Sequence, residues 1–114
     1  MISLNNIQDI ATTIAREFQP EKIILFGSYA WGTPGQDSDV DFFIIKNTTV
    51  PAKQRIEELD RLFPRRDFPM DFLVYTPTQV QHRRERGDFF IENILTKGTL
   101  LYDATTMNLM LNHY

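Results

Sequence analysis

Two short apolar runs, Lys22-Ile23-Ile24-Leu25-Phe26 and Val40-Asp41-Phe42-Phe43-Ile44-Ile45, frame a Gly27-Ser28 corner and a polar loop. Runs of this length, rich in β-branched and aromatic residues and bounded by turn residues, read as buried strands. The second carries charge where a buried strand should have none: Asp39 precedes it and Asp41 is its second residue. Alternate residues of a strand share a face, so these carboxylates project together, their Cα atoms roughly 6.6 Å apart at about 3.3 Å per residue. A third run, Met70-Asp71-Phe72-Leu73-Val74-Tyr75, again holds one acid. Met70, Phe72 and Val74 take the face opposite Asp71. An isolated buried carboxylate is costly, so Asp71 is expected to have a cation or strong donors as its partner.

The segments between these runs have helical period. Residues 4–18 place Ile7, Ile10, Ala11, Ile14, Ala15 and Phe18 at spacings of three and four, and Pro20 closes the segment. Ser28 suits the N-cap of a short turn running through Trp31 and stopped by Gly32. Thr33 to Ser38 is a polar loop in which Asp37 is a turn residue. Residues 51–63 form a second helix, with Ile56, Leu59, Leu62 and Phe63 on one face and mostly charges elsewhere. Thr76-Pro77-Thr78-Gln79 combines a capping Thr, Pro at the first helical position and Gln three residues after the cap. A polar helix should run from there to about Arg86. Phe89, Phe90, Ile91, Ile94 and Leu95 mark another helix ending at Gly98, its paired Phe residues read as core, and Thr99 to Tyr102 is a last short strand. Strands alternating with helices imply an α/β or α+β layered domain.

With 114 residues, 42% of them apolar, the chain forms one domain with a real core. Residues 1–103 are expected to make that domain and 104–114 a tail, apolar at Met107, Leu109, Met110 and Leu111. A net charge of −3 argues against stable nucleic-acid binding, which needs a basic excess. Arg65-Arg66 and Arg83, Arg84 and Arg86 are the local basic clusters. The first pair, in a loop, is solvated or partner-facing. The second is a solvated helix face, or meets an acidic partner or a triphosphate. His82 and His113 have no ligand-spaced companions. The chain has no cysteine, so disulfides and thiolate metal sites are out. The N-terminus lacks the basic and apolar regions of a signal peptide, and no apolar run approaches membrane-spanning length. A cytoplasmic setting without membrane partners is the expectation.

Gly27 allows a sharp turn and close approach of backbone to phosphate, and Ser28 adds a hydroxyl at a helix start, where free N–H groups favour an anion. Hard carboxylate oxygens converging from Asp39, Asp41 and Asp71 suit Mg²⁺, in the manner of sites that hold two ions about 3.5–4 Å apart for phosphoryl transfer. A Gly-Ser turn alone is a common helix cap, and Asp-x-Asp alone is often a solvated strand entry. Their combination, with ten residues between Ser28 and Asp39 and a third acid on a later strand, is far more specific. It points to a metal-bound triphosphate.

Gly27-Ser28-x10-Asp39-x-Asp41 resembles the signature of the polymerase-β-type nucleotidyltransferase superfamily. The short length and the ending Gly98-Thr99-Leu100-Leu101-Tyr102 are similar to its minimal nucleotidyltransferases, over about residues 5–103. The resemblance implies an α+β fold, a small mixed β-sheet of about four strands flanked by helices. It implies Asp39 and Asp41 as ligands of two Mg²⁺ ions, Asp71 joining them and helping to activate the acceptor hydroxyl, and Gly27 and Ser28 as the turn that holds the triphosphate of ATP. Relatives often carry arginine after the Ala of this stretch, where Trp31 follows Ala30 here; Trp31 stacks on a base, packs inside, or faces a partner. Larger relatives add a helical domain that binds the acceptor, for which this chain has no residues left, so a partner chain is expected to supply that wall. Minimal nucleotidyltransferases of this kind act as antitoxins that transfer AMP to a tyrosine of a helical HEPN-type ribonuclease toxin. Two other functions are open: an antitoxin that neutralises by binding alone, and a nucleotidyltransferase acting on a small molecule such as an aminoglycoside.

Overall fold

The computed structural model of the chain describes residues 2–105. The elements follow in the order α1 (Leu4–Phe18), β1 (Lys22–Phe26), α2 (Ser28–Trp31), β2 (Val40–Ile45), α3 (Ala52–Leu62), β3 (Met70–Tyr75), α4 (Pro77–Glu85), α5 (Phe89–Lys97) and β4 (Thr99–Asp103). The strands form a single sheet in the order β3-β2-β1-β4. β1 pairs antiparallel with β2 and β4, while β2 and β3 run parallel, so the sheet is mixed. The fold is α+β, as the resemblance implies.

Each sheet face closes against a helix pair, because the strand period of two sends alternate residues to opposite sides. On one face Ile23, Leu25, Val40, Phe42, Ile44, Met70 and Val74 pack with Ile7, Ala11, Ile14 and Phe18 of α1 and Leu59 of α3. On the other, Ile24, Phe43 and Ile45 meet Val80 of α4 and Ile91 and Ile94 of α5. Each Ile, Leu, Val or Phe among them that is fully buried contributes about 1.5–3 kcal/mol of transfer free energy. Ser3 caps α1 by accepting from the Asn6 N–H, and Gln19 ends it in a left-handed conformation. Thr76 and Gln79 form the reciprocal capping box that starts α4. No described helix is long and apolar enough to cross a membrane.

Several expectations need correction. Phe89 is 84% exposed and Phe90 50% exposed. They lie off the face that α5 turns to the sheet through Ile91 and Ile94, and so are not core. Ser28 does not cap α2. Gly27 is the N-cap, and no side chain makes a capping hydrogen bond there. Arg55 of α3, counted among the charges outside that helix's apolar face, is buried. Its guanidinium donates to Val50 O at 2.6 Å, Val74 O at 3.2 Å and Gln79 Oε1 at 3.1 Å, so the buried charge has partners on three segments. From residue 106 onward the tail lies outside the described residues.

Candidate active site

The parallel register of β2 and β3 sets Asp41 directly beside Asp71. β1, antiparallel to β2, ends at Phe26, the register partner of Asp41, and the chain turns at Gly27. The acids and the Gly-Ser corner therefore meet at one end of the sheet, on the face that α4 and α5 cover elsewhere. One carboxylate oxygen each from Asp39, Asp41 and Asp71 lies within 4.8 Å of the others, with Asp41 half-buried and Asp39 and Asp71 exposed. Asp71 is thus not the buried carboxylate that its apolar strand suggests: the sheet ends there, and its side chain leaves the covered part of the face.

Gly27 joins the corner to the acids mechanically. Its backbone, at φ 77° and ψ −156°, occupies a region essentially restricted to glycine. A Cβ added there would collide with Asp41 Oδ2, so the half-buried carboxylate rests directly against the glycine backbone. The Gly27 carbonyl accepts from the Ala30 and Trp31 N–H groups at 3.0 and 3.1 Å, which winds the chain into the single turn of α2. The first N–H groups of that turn have no intrahelical acceptor, as at any helix start. With only four residues, α2 adds little dipole; the corner offers local N–H groups and the Ser28 hydroxyl.

Crowding of like charges shows in the acids themselves. The Asp41 carboxyl is pushed up to about 6, first by burial and then by the negative charges of Asp71 and Asp39. Asp71 is raised as well, by desolvation of its carboxyl, although the residue as a whole is exposed, and by Asp39 beside it; Arg66 acts in the opposite direction. Three hard oxygen donors held this close, at a cost in mutual repulsion, form a set that a divalent cation completes, and their chemistry suits an oxygen-ligated ion of the Mg²⁺ type.

Arg66, expected to be solvated or partner-facing, braces the start of β3. Its Nε donates to Phe63 O at 3.3 Å, Nη1 donates to Met70 O at 3.4 Å, and Nη2 pairs with Asp60. The guanidinium also lies 5.5 Å from the centre of the Phe72 ring. It thereby grips the residues on both sides of Asp71. Loop arginines have no periodic signal, so only the tertiary fold reveals it. The other basic cluster lies away from the acids. Arg83 sits over Tyr75 and pairs with Asp88 at 3.5 Å, and Arg84 pairs with Glu92 at 3.1 Å. Tyr75 and Asp71 occupy opposite ends of β3, so Arg83 and Arg84 do not reach the acidic site. A concavity of about 630 Å³ beside Arg84, lined also by Glu21, Lys22 and Val80, is likewise at the far end.

A small mixed sheet that gathers three carboxylates beside a glycine–serine corner defines a nucleotidyl-transfer domain. The chain belongs to the polymerase beta nucleotidyltransferase family, which it matches over residues 8–106. Among solved structures it is similar to a candidate nucleotidyltransferase from Sulfolobus solfataricus, at a TM-score of 0.60 and 19% identity, covering 88% of this chain and 79% of that one. That likeness is one of fold. No curated protein matches the sequence significantly.

Proposed function

We propose that the protein transfers AMP from ATP to a tyrosine hydroxyl of a helical HEPN-type ribonuclease toxin, and so acts as its antitoxin in the cytoplasm. The observation that supports this reading is the position of the acids. They stand together at an open sheet end, two of the three exposed, where a macromolecular acceptor can present a hydroxyl. The resemblance to minimal nucleotidyltransferases supplies the toxin as that acceptor.

In this reading Asp39, Asp41 and Asp71 hold Mg²⁺, and Gly27 and Ser28 hold the triphosphate. Bound there, the divalent ions supply positive charge against the phosphates and ease loss of the acceptor proton. The Ser28 hydroxyl and the backbone N–H groups of the corner donate to phosphate oxygens, fixing the α-phosphorus for in-line attack. Asp71, on the outermost strand of the three, faces the acceptor and orients its hydroxyl. The acceptor hydroxyl gives up its proton to Asp71 and on to solvent, and its oxygen bonds to the α-phosphorus as the bond to the leaving pyrophosphate breaks. Most of the rate comes from this positioning and from charge stabilisation.

The test is co-expression with the toxin, followed by intact mass and labelling with α-labelled ATP. A mass gain of one or more AMP units on a toxin tyrosine is the expected result. Equal labelling by the Asp39→Ala/Asp41→Ala variant would overturn the reading. Neutralisation of an unmodified toxin by a variant lacking all three acids would establish an antitoxin acting by occlusion, and labelling of an aminoglycoside without any protein partner would establish a small-molecule enzyme.

A further inference from the structure

We infer that Trp31 and Phe90 form a stacking shelf for the base of the bound nucleotide. This rests on the reading that the acids and the Gly27–Ser28 corner take a nucleoside triphosphate, and adds where the rest of that molecule lies. Phe26 is the hub. Its ring centre is 6.4 Å from that of Trp31, tilted by 36°, and 5.8 Å from that of Phe90, which it meets edge-on at 87°. Phe26 and Asp41 are register partners, so their side chains leave the sheet on the same face. The three rings thus form one surface that starts beside the metal-competent acids and flanks the corner, Phe26 immediately before Gly27 and Trp31 three residues after Ser28.

Packing of the fold does not account for the outer rings. Trp31 is 45% and Phe90 50% exposed, while the core on this face closes through Ile24, Phe43, Ile91 and Ile94. Phe26 backs both rings, so they are held rather than free. A nucleoside triphosphate presents polar phosphates at one end and a flat π face at the other. The acids and the corner match the first, and the exposed rings beside them match the second. Aromatic stacking tolerates any base because each has a π face. Rings grip by area, so the shelf favours the larger purines over pyrimidines and separates adenine from guanine weakly.

Trp31 is the chain's one tryptophan, which makes its fluorescence a direct reporter. The full chain is titrated with Mg·ATP and, separately, with Mg·tripolyphosphate, while equilibrium dialysis with labelled ATP records occupancy. The expected result is saturable quenching by Mg·ATP and little by tripolyphosphate. Trp31→Ala should weaken ATP binding by about tenfold, within the range for losing one aromatic–base stack. It should leave tripolyphosphate competition within about twofold, and Trp31→Phe should restore most of the ATP affinity. Tight ATP binding with unchanged fluorescence and an unchanged constant in Trp31→Ala would overturn the shelf alone and leave the rings to a protein partner. Failure of both ATP and tripolyphosphate to bind would overturn the triphosphate reading, and the shelf with it.

Discussion

The two ends of the β2–β3 pair are built from the same strands on opposite electrostatic terms. At the Ile45–Tyr75 end the two cations drawn in from solvent, Arg55 and Lys46, are answered from within the chain. Arg55 is satisfied by two carbonyls and Gln79, Gln79 also closes the capping box of α4, and Lys46 donates to Phe18 O at the end of α1. At the Asp41–Asp71 end three carboxylates face one another, and among the described residues Arg66 is the cation that acts against the rise at Asp71. Internally answered charge stabilises a fold, while unanswered charge of one sign, held in place by strands and a glycine, is a demand for a ligand. In the proposed reading, the difference separates residues that build this protein from residues that let it act.

The sharpest break of this contrast is Asp41→Ala. Removing one group that organises charge at the reacting centre should lower the rate of nucleotidyl transfer by at least about a hundredfold to a thousandfold. The melting temperature should hold or rise, because a repulsion is relieved. A large fall in melting temperature with activity retained would reverse the assignment of the two ends. Arg55→Ala should do the opposite. It leaves three acceptors without their donor, so chemical denaturation should show a loss of about 3 kcal/mol, while the turnover of the remaining folded protein stays close to wild type.

A smaller effect sharpens the comparison through pH. The folded-state value of about 6 for Asp41 lies above its ordinary 3.8, so the folded protein binds this proton more tightly than the unfolded chain. Its contribution to stability is present below about pH 4 and is lost as pH rises through about 6. The metal-free melting temperature should therefore decline over that window, and Asp41→Asn should flatten the decline. A divalent cation should raise the melting temperature more at pH 7.5 than at pH 5. Equal cation shifts at both pH values would show that the acids do not titrate as a cluster.

Much of this organisation is legible in the sequence because it is local. The 3.6-residue period of α1, the Thr76–Gln79 capping signature and the apolar runs of β1, β2 and β3 place their elements within about a residue. The convergence of Asp39 and Asp41 follows from strand alternation alone. What pattern does not carry is which helix face meets the sheet and how distant strands pair. Phe89 and Phe90 look like core because they are apolar, yet they lie off the face that α5 turns to the sheet through Ile91 and Ile94. Arg55 looks solvated because it is charged, yet it lies four residues before the buried Leu59 and on the same face. Asp71 looks buried because its strand is apolar, yet it sits where the sheet ends. The edge-to-edge order β3-β2-β1-β4, which brings Asp71 to Asp41, is a long-range outcome.

The register of β3 against β2 has a consequence for how this protein can vary. Side chains alternate along a strand, so sliding β3 by one position would turn Asp71 inward and set Met70 or Phe72 beside the remaining acids. Met70 and Val74, buried under α1 and α3 and remote from any solute, fix that alignment. In the proposed reading, a substitution among them that preserved the fold but loosened the pairing would silence the chemistry without altering a single one of the three acids.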